Sequence, residues 1–581
     1  MKYIFITTFF CFYFLTSTPA VAAVSLSASA ASPSPVGIAL NWTATFTGAG
    51  SDARYRWTVT RPDGATSRLS DYDKPAIFEY MPLQDGAYRL SVTARNIVTL
   101  EEGTTSVTYL ASSLQTDTAV PVVTPTANSL IALYSATCAT GSMRVFFAPE
   151  GNNPLRNGMG TQYQPCVSGK SINFIIAGMR PNTTYNIRHR LFGSIPSEGP
   201  QVTFTTGSAP ALPTATIQGN TTAAEKVALF SFLGIGGIQG MAAYDTTGSV
   251  IWYSDKYFRP FLFRPMPGGT LTMRTSDFRH LLEIDLLGNV VGGTNADRIL
   301  EQLPAGSPYI REIHHDVIRL PNDHTAFLIS ISKFFTDGTQ GGTPANPKEL
   351  QGDGIVVVDQ NWRVVWNWDP FKSFDVTRPP VAPSPCNSGG NCQDWLHANS
   401  LLYTADNNLV ISLRNQDLLI KVNYANGLGN GDLLWKLGSG GDFTIVNSQG
   451  EIWPWFSGQH SPTYKGNYLT LFDNSNSRVE PGVSFDIFNP NLCCSRGQAW
   501  IVDEANRQVT LATNFDMGKF SDILGSSQKL SNGNLHFLLG FADGGKLAEF
   551  KEVTPSGTAV YTFDVPNPAY RAFRMIDLYT P

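Results

Sequence analysis

Charge is scarce in this sequence. Only 15% of its 581 residues are Asp, Glu, Lys or Arg, and the formal net charge is -5. That balance argues against the basic surface of a nucleic-acid-binding domain and against a polybasic membrane contact. An anionic substrate would need a local cluster of positive or donor groups. A helical composition is also missing: aromatics reach 12%, and 52 Gly with 37 Pro supply many turns, the profile of an all-β chain. No CxxC pair occurs, which disfavours a zinc site built on cysteine. Beyond the N-terminus, no stretch is apolar enough for a transmembrane segment.

The N-terminus itself carries Lys2, the apolar run YIFITTFFCFYFL and the small-residue site Ala20, Val21, Ala22. This is the pattern of a secretory signal peptide over 1–22, and its apolar run falls short of the roughly 20 residues that a spanning helix needs. The mature chain is therefore expected to be exported, periplasmic or secreted. Cys11 leaves with the signal, and six cysteines remain in an oxidising setting. Cys138 with Cys166 and Cys386 with Cys392 are the expected local disulfides, whereas Cys493 and Cys494 are open to a vicinal bridge or to pairing elsewhere.

The length suggests several units. Residues 23–115 alternate apolar and polar in short runs such as YRWTVTRP and GAYRLSVTARN, as in an immunoglobulin-like β-sandwich. A second sandwich is expected over 116–210, where Tyr185 in MRPNTTYNIRHRLF resembles the tyrosine corner of fibronectin type III modules. SAPALPTAT, at 208–216, reads as a cleavable linker.

Over 211–581 the chain repeats. An apolar strand, a tight turn and a second strand recur as AAYDTTGSVIWYSD, LLEIDLLGNVVGG, IVVVDQNWRVVWNWD, LIKVNYANGLGNGDLLWKLG, AWIVDEANRQVTLATNF and AEFKEVTPSGTAVYTFD. Between these copies lies another hairpin, seen in FRPMPGGTLTMRTS and HDVIRLPNDHTAFLIS. Two hairpins make a four-stranded sheet, and six such sheets in series predict a six-bladed β-propeller. Either the C-terminal FRMIDLY or TATIQG is expected to complete the first blade.

Three of the eight histidines begin such hairpins in register: His315, His397 and His460. Hairpin geometry places Arg414 opposite His397, Ser330 near His315, and Phe472 and Asp473 near His460. Alternation along a strand lets only one of His314 and His315 point inward. His189, His280, His324 and His536 fall elsewhere and take ordinary packing or surface roles. Three histidines can hold zinc with one open position. Arg414 suits a tetrahedral oxyanion better, and a neutral histidine can serve as nucleophile beside it. Metal-dependent hydrolysis and non-catalytic ligand binding remain alternatives at this point. Trp453, Trp455 and Phe456, just before His460, are candidates equally for an aromatic substrate wall and for blade core.

HHD with LPND, WLHANS with SLRNQD and WKLG, and GQH with LFDNSNSR together resemble the bacterial arylsulfate sulfotransferase family, over most of 214–581. The resemblance implies a nucleotide-independent enzyme without a cofactor, working on an aryl sulfate donor and a phenol acceptor by a ping-pong route through a sulfated histidine. It also implies that His460 is the nucleophile, and that His397, Asn399, Arg414 and one of His314 and His315 bind the sulfuryl oxygens. A homodimer is left open as an assembly state.

Overall fold

The computed structural model describes residues 23–47, 52–114, 120–234, 239–254, 256, 262–381, 384–386, 390–477 and 494–581. The expected signal peptide, Cys11 and Cys493 lie outside these residues. The chain is all-β, and among the described residues no helix is long and apolar enough to cross a membrane.

Two pairs of sheets come first. Val24–Ala28, Leu40–Phe46 and Ile77–Tyr80 face a five-stranded sheet built on Ala53–Thr60 and Gly86–Asn96. Between them the alternating residues bury Trp42, Trp57, Leu90 and Tyr109. In the second pair, Ala132–Thr137 and Ser171–Ile176 belong to one sheet and Ser142–Pro149 and Thr184–Phe192 to the other. The Tyr185 hydroxyl accepts from the Arg180 backbone N–H at 2.8 Å, the bond of a tyrosine corner. His189 packs here as an ordinary buried residue against the Tyr134 hydroxyl, 2.6 Å away.

Six sheets follow. Sheet 1 runs Ala569–Met575, Val227–Leu233, Gln239–Asp245, Val250–Ser254. Sheet 2 runs Phe263–Met266, Thr270–Arg274, His280–Asp285, Val290–Asn295. Sheet 3 is Ile310–Arg319, Thr325–Phe335, Lys348–Val358, Val364–Trp368, and sheet 4 is Ala398–Tyr403, Leu409–Leu413, Leu418–Val422, Leu433–Gly438. Sheet 5 comprises His460–Lys465, Tyr468–Asp473, Arg496–Asp503, Gln508–Asp516, and sheet 6 Ser526–Lys529, Leu535–Ala542, Leu547–Val553, Ala559–Val565. Each of the six repeated segments forms the third and fourth strands of one sheet. Both closing candidates are used, in different sheets: Ala569–Met575 opens sheet 1, and Thr216–Gly219 pairs with the outer edge of sheet 6.

The first strands of sheets 2 to 6 lie against one another in succession, and the first strand of sheet 6 meets Ala569–Met575. The ring is closed where Phe263 packs edge-on against Phe573, centroids 5.3 Å apart. At its centre the Asp316 carboxylate is 1% exposed. It accepts from Arg264 of sheet 2 at 3.0 Å, from Arg571 of sheet 1 at 2.8 Å, and from Ser400 Oγ and Leu401 N of sheet 4 at 3.1 and 2.9 Å. Burial would raise its pKa, but the two guanidiniums outweigh burial and hold the carboxyl below its usual range.

The N-terminal sheets are docked onto this ring. A single apolar cluster contains Tyr134, Phe147 and Tyr185 together with Leu229, Trp252 and Met273 of sheets 1 and 2. The expected linker is pinned, with the Tyr244 hydroxyl donating to Pro213 O at 2.9 Å. His280 is not an idle surface histidine: Nε2 lies 3.1 Å from Asp73 of the first sheet pair, and Nδ1 2.8 Å from Asp277. Burial lowers its pKa, yet the two carboxylates outweigh burial and hold it up at about 9. His536 is fully buried against Phe550 and His324 sits in a turn, so both keep ordinary roles.

Two predictions follow from these contacts. Because the folded pKa of His280 is raised, its stabilisation is complete below the unfolded value and is lost as pH rises through about 9. His280→Gln should lower Tm below about pH 6.5 and converge with the native protein at higher pH; a Tm difference independent of pH would remove His280 from the docking. Asp316→Ala strands the buried guanidinium of Arg571 and the half-buried one of Arg264 and should cost about 3–5 kcal/mol, read as a lower urea midpoint. A native midpoint would mean that packing alone holds the ring.

Candidate active site

The histidines stand midway along the first strand of sheet 3 and at the entry of the first strands of sheets 4 and 5, and each strand is irregular there. Register shifts fall between His314 and Val317, between Ala398 and Ser400, and between His460 and Thr463. Left-handed backbone accompanies them, with φ of 53° at His315, 50° at His397 and 40° at Ser461. Such conformations cost on the order of 1–3 kcal/mol for a non-glycine residue and cluster at functional sites.

The bulge brings the rings of His314 and His315 together. Their Nδ1 atoms are 2.6 Å apart, and the His315 ring meets the His397 ring edge-on with centroids 4.8 Å apart. It also moves Ser330 away: Ser330 pairs with Glu312, and His314 with Leu328. The other expected partners hold. Arg414 N donates to His397 O at 3.1 Å, and His460 pairs with Phe472.

Protonation follows from the partners. His314 Nε2 lies 3.0 Å from Asp353 Oδ1. Burial opposes its charge, but Asp353 outweighs burial and raises its pKa. His315 is depressed well below the ordinary value, by burial first and then by the charge of His314. His314 therefore donates Nδ1–H to His315 Nδ1, leaving His315 neutral with its proton on Nε2. His397 donates Nδ1–H to Asp394 Oδ2 at 2.5 Å.

His460 is buried, and its Nδ1 lies 2.7 Å from Asn474 Oδ1 and 3.0 Å from Gly458 O. The Asn474 amide cannot turn round, because its Nδ2 donates to Ser521 O and Leu524 O at 2.7 and 2.9 Å. Both neighbours are acceptors, so Nδ1 carries the proton and Nε2 keeps its lone pair. Burial first, and then the charge of Arg414, hold the His460 pKa well below the ordinary value. Gly458 is needed for this turn: its φ is 61°, and a Cβ there would sit 1.9 Å from Asn476 Oδ1.

Arg414 donates to Asn415 Oδ1 at 3.0 Å and Asp522 O at 3.2 Å, and its buried Nε–H has no partner among the described residues. Asn399 is fully buried and donates to Gln459 O at 2.7 Å, bracing the residue before His460. Trp455 and Phe456 are core: Trp455 stacks on Trp500 at 5.5 Å, and Phe456 belongs to the apolar cluster between sheets 4 and 5. Trp453 is 42% exposed. Among the described residues no group of three or more His, Cys, Asp or Glu is arranged to hold a metal ion.

Asp353, Asp394 and Asn474 were not singled out from the sequence as partners. Asn474 carried a signal, since it lies two positions after Phe472, the residue paired with His460. The disulfides Cys138–Cys166 and Cys386–Cys392 are both formed, and Cys494 is disulfide-bonded as well.

Comparison with known proteins gives one informative result. No curated protein matches the sequence. Similarity to solved structures is remote. The human OSCAR ligand-binding domain is 13% identical and covers 32% of this chain and 100% of that one at a TM-score of 0.12. Sqt1 of Saccharomyces cerevisiae is 9% identical over 67% and 89% at 0.21, and a variant of the Synechocystis apocarotenoid oxygenase 10% identical over 78% and 94% at 0.24. None of these carries an argument about fold or function. The model of the arylsulfotransferase (ASST) family, in contrast, matches residues 218–571, more than half of the chain and all four irregular histidines. The chain belongs to the arylsulfotransferase family.

Proposed function

We propose that this arylsulfotransferase moves a sulfuryl group from an aryl sulfate to a phenol in two half-reactions, through a sulfated His460. The observation that carries this reading is the locked tautomer of His460, whose Nε2 lone pair is held unprotonated beside Arg414. In the first half-reaction Nε2 forms a bond to sulfur as the S–O bond to the aryl group breaks, and the aryloxide leaves with the bonding pair and takes up a proton. In the second, the phenol oxygen attacks sulfur, the N–S bond breaks and the phenol proton is given up. Arg414 Nε–H, His315 Nε2–H and His397 supply donors to the sulfuryl oxygens, with His314 and Asn399 holding the neighbouring groups in place.

In the same reading the six sheets are the blades of a six-bladed β-propeller over 211–581, preceded by sandwich modules at 23–115 and 116–210. Succession of the first strands around Asp316 supports it. Disulfides and the apolar N-terminus support export after removal of 1–22.

The test is incubation with 4-nitrophenyl sulfate. Nitrophenol release should depend on added phenol, need no nucleotide and survive chelators; loss on chelation with recovery on zinc would transfer the assignment to a metal-dependent hydrolase. Without acceptor, mass spectrometry after a non-acidic quench should place the sulfuryl group on the peptide containing His460. His460→Asn should abolish labelling, whereas His397→Asn should only slow it. The label on another histidine or on a tyrosine would sink the assignment. Since the pKa of His460 is depressed, its labelling rate should not fall as pH drops through about 6.5.

Arg414→Lys keeps the charge but loses the planar fork. Turnover should fall about 100-fold, as for loss of one oxyanion donor. Unchanged kinetics in a folded variant would place Arg414 outside the site.

A further inference from the structure

Beyond the histidines, in the direction in which the first strands run, the ring encloses a cavity of about 330 Å³ lined by residues including Arg264, Ser400, Ser461, Ser527 and Arg571. No step of the transfer reaction uses it.

Arginine predominates on its lining, which also carries Arg574, itself paired with Glu552. Arg264 and Arg571 share a single carboxylate, that of Asp316. Arg571 is 2% exposed, and its other hydrogen bond of this set goes to a neutral acceptor, the Asn399 carbonyl, at 2.6 Å. Positive charge in a partly enclosed space favours an accompanying counter-charge, most of all at the buried Arg571. Two polar atoms on the lining make no well-formed hydrogen bond among the described residues: Ser461 Oγ, and Arg571 Nε, whose side chain has the Tyr570 hydroxyl as a further neighbour. The remaining hydroxyls are engaged, Ser400 Oγ with Asp316 at 3.1 Å and Ser527 Oγ with Ser461 O at 3.0 Å. Two guanidiniums repel a cation, and polar atoms without a well-formed hydrogen bond disfavour an apolar guest.

We propose that this cavity is a binding site for a small inorganic anion, a halide or a tetrahedral oxyanion, held by Arg571 Nε, Ser461 Oγ and Arg264. The volume exceeds that of one such ion, so water completes its shell. The site is distinct from the histidine mouth, from which the Asp316 layer separates it. It is electrically joined to that mouth, because Ser461 follows His460 and the charge of Arg571 is among those depressing His460.

Bromide is the probe. In crystals of the native protein soaked in sodium bromide, an anomalous peak is expected within hydrogen-bonding distance of Ser461 Oγ and Arg571 Nε. Bromide confined to the histidine mouth, or a cavity holding water alone, would overturn the proposal. In solution, bromide exchanged for gluconate at constant ionic strength should raise Tm and saturate. Arg264→Met leaves Arg571 and Asp316 as a balanced pair and should abolish the saturable rise, while Ser461→Ala should weaken half-saturation about fivefold. A native Tm indifferent to bromide, or an Arg264→Met response equal to the native one, would also overturn it. Sulfate run in parallel distinguishes the two anion types: displacement of the bromide peak by sulfate assigns the oxyanion, and its persistence the halide.

Discussion

A buried carboxylate cannot stand alone, and in this protein the groups that accompany Asp316 come from three other sheets. Arg264, Arg571, Ser400 and the Leu401 amide converge on it from sheets 2, 1 and 4. Each contact fixes the depth at which a first strand sits relative to its neighbours, which apolar packing between sheets leaves free to slide. Arg571 extends the arrangement, since its Nη2 holds the Asn399 carbonyl and Asn399 in turn holds Gln459. The height of His460 is therefore set, through two intermediate residues, by the carboxylate at the centre of the ring. Closure depends on the last strand as well, because Arg571 lies on Ala569–Met575, which opens sheet 1 far from its neighbours in sequence.

The same strands break the rule of alternation where the histidines stand. A regular strand presents every second side chain to one face, so adjacent histidines would diverge. A bulge with left-handed backbone at His315 brings both rings together, at a local cost that the surrounding ladders and the Asp316 contacts can bear. His397 and Ser461 show the same backbone device in the next two sheets.

Much of this was legible in the residues. The turn-and-strand copies map onto the outer halves of the sheets, and the hairpins that begin with histidine map onto the inner halves, because period-two burial and glycine turns are local properties. The Cys138–Cys166 and Cys386–Cys392 bridges were legible for the same reason, both being short closures. What escaped was non-local or irregular. Bulges have no sequence period, so the contact between His314 and His315 was not foreseen. Trp455 and Phe456 were balanced between wall and core, since only Trp500, from a distant strand, decides it. Asp353, Asp394 and Asn474 act across strands, and Asp73 reaches His280 from another sheet pair altogether.

Spacing treats the three strand-opening histidines alike; partner chemistry does not. His314 faces Asp353 directly, His315 leans on His314, and His397 is bonded to Asp394. Asp353 favours the protonated form of His314, whose Nδ1–H then faces His315; in the proposed reaction this turns the His315 Nε2–H towards the sulfuryl oxygens. His460 alone is oriented by an amide and a backbone carbonyl, which fix where its proton sits without adding a negative charge that would invite a second one. Burial and Arg414 then act in the same direction, against protonation. In the proposed reaction this division keeps the His460 nitrogen available: the charge of His314 is matched by the acid beside it, His315 is neutral, and no acid stands behind His460.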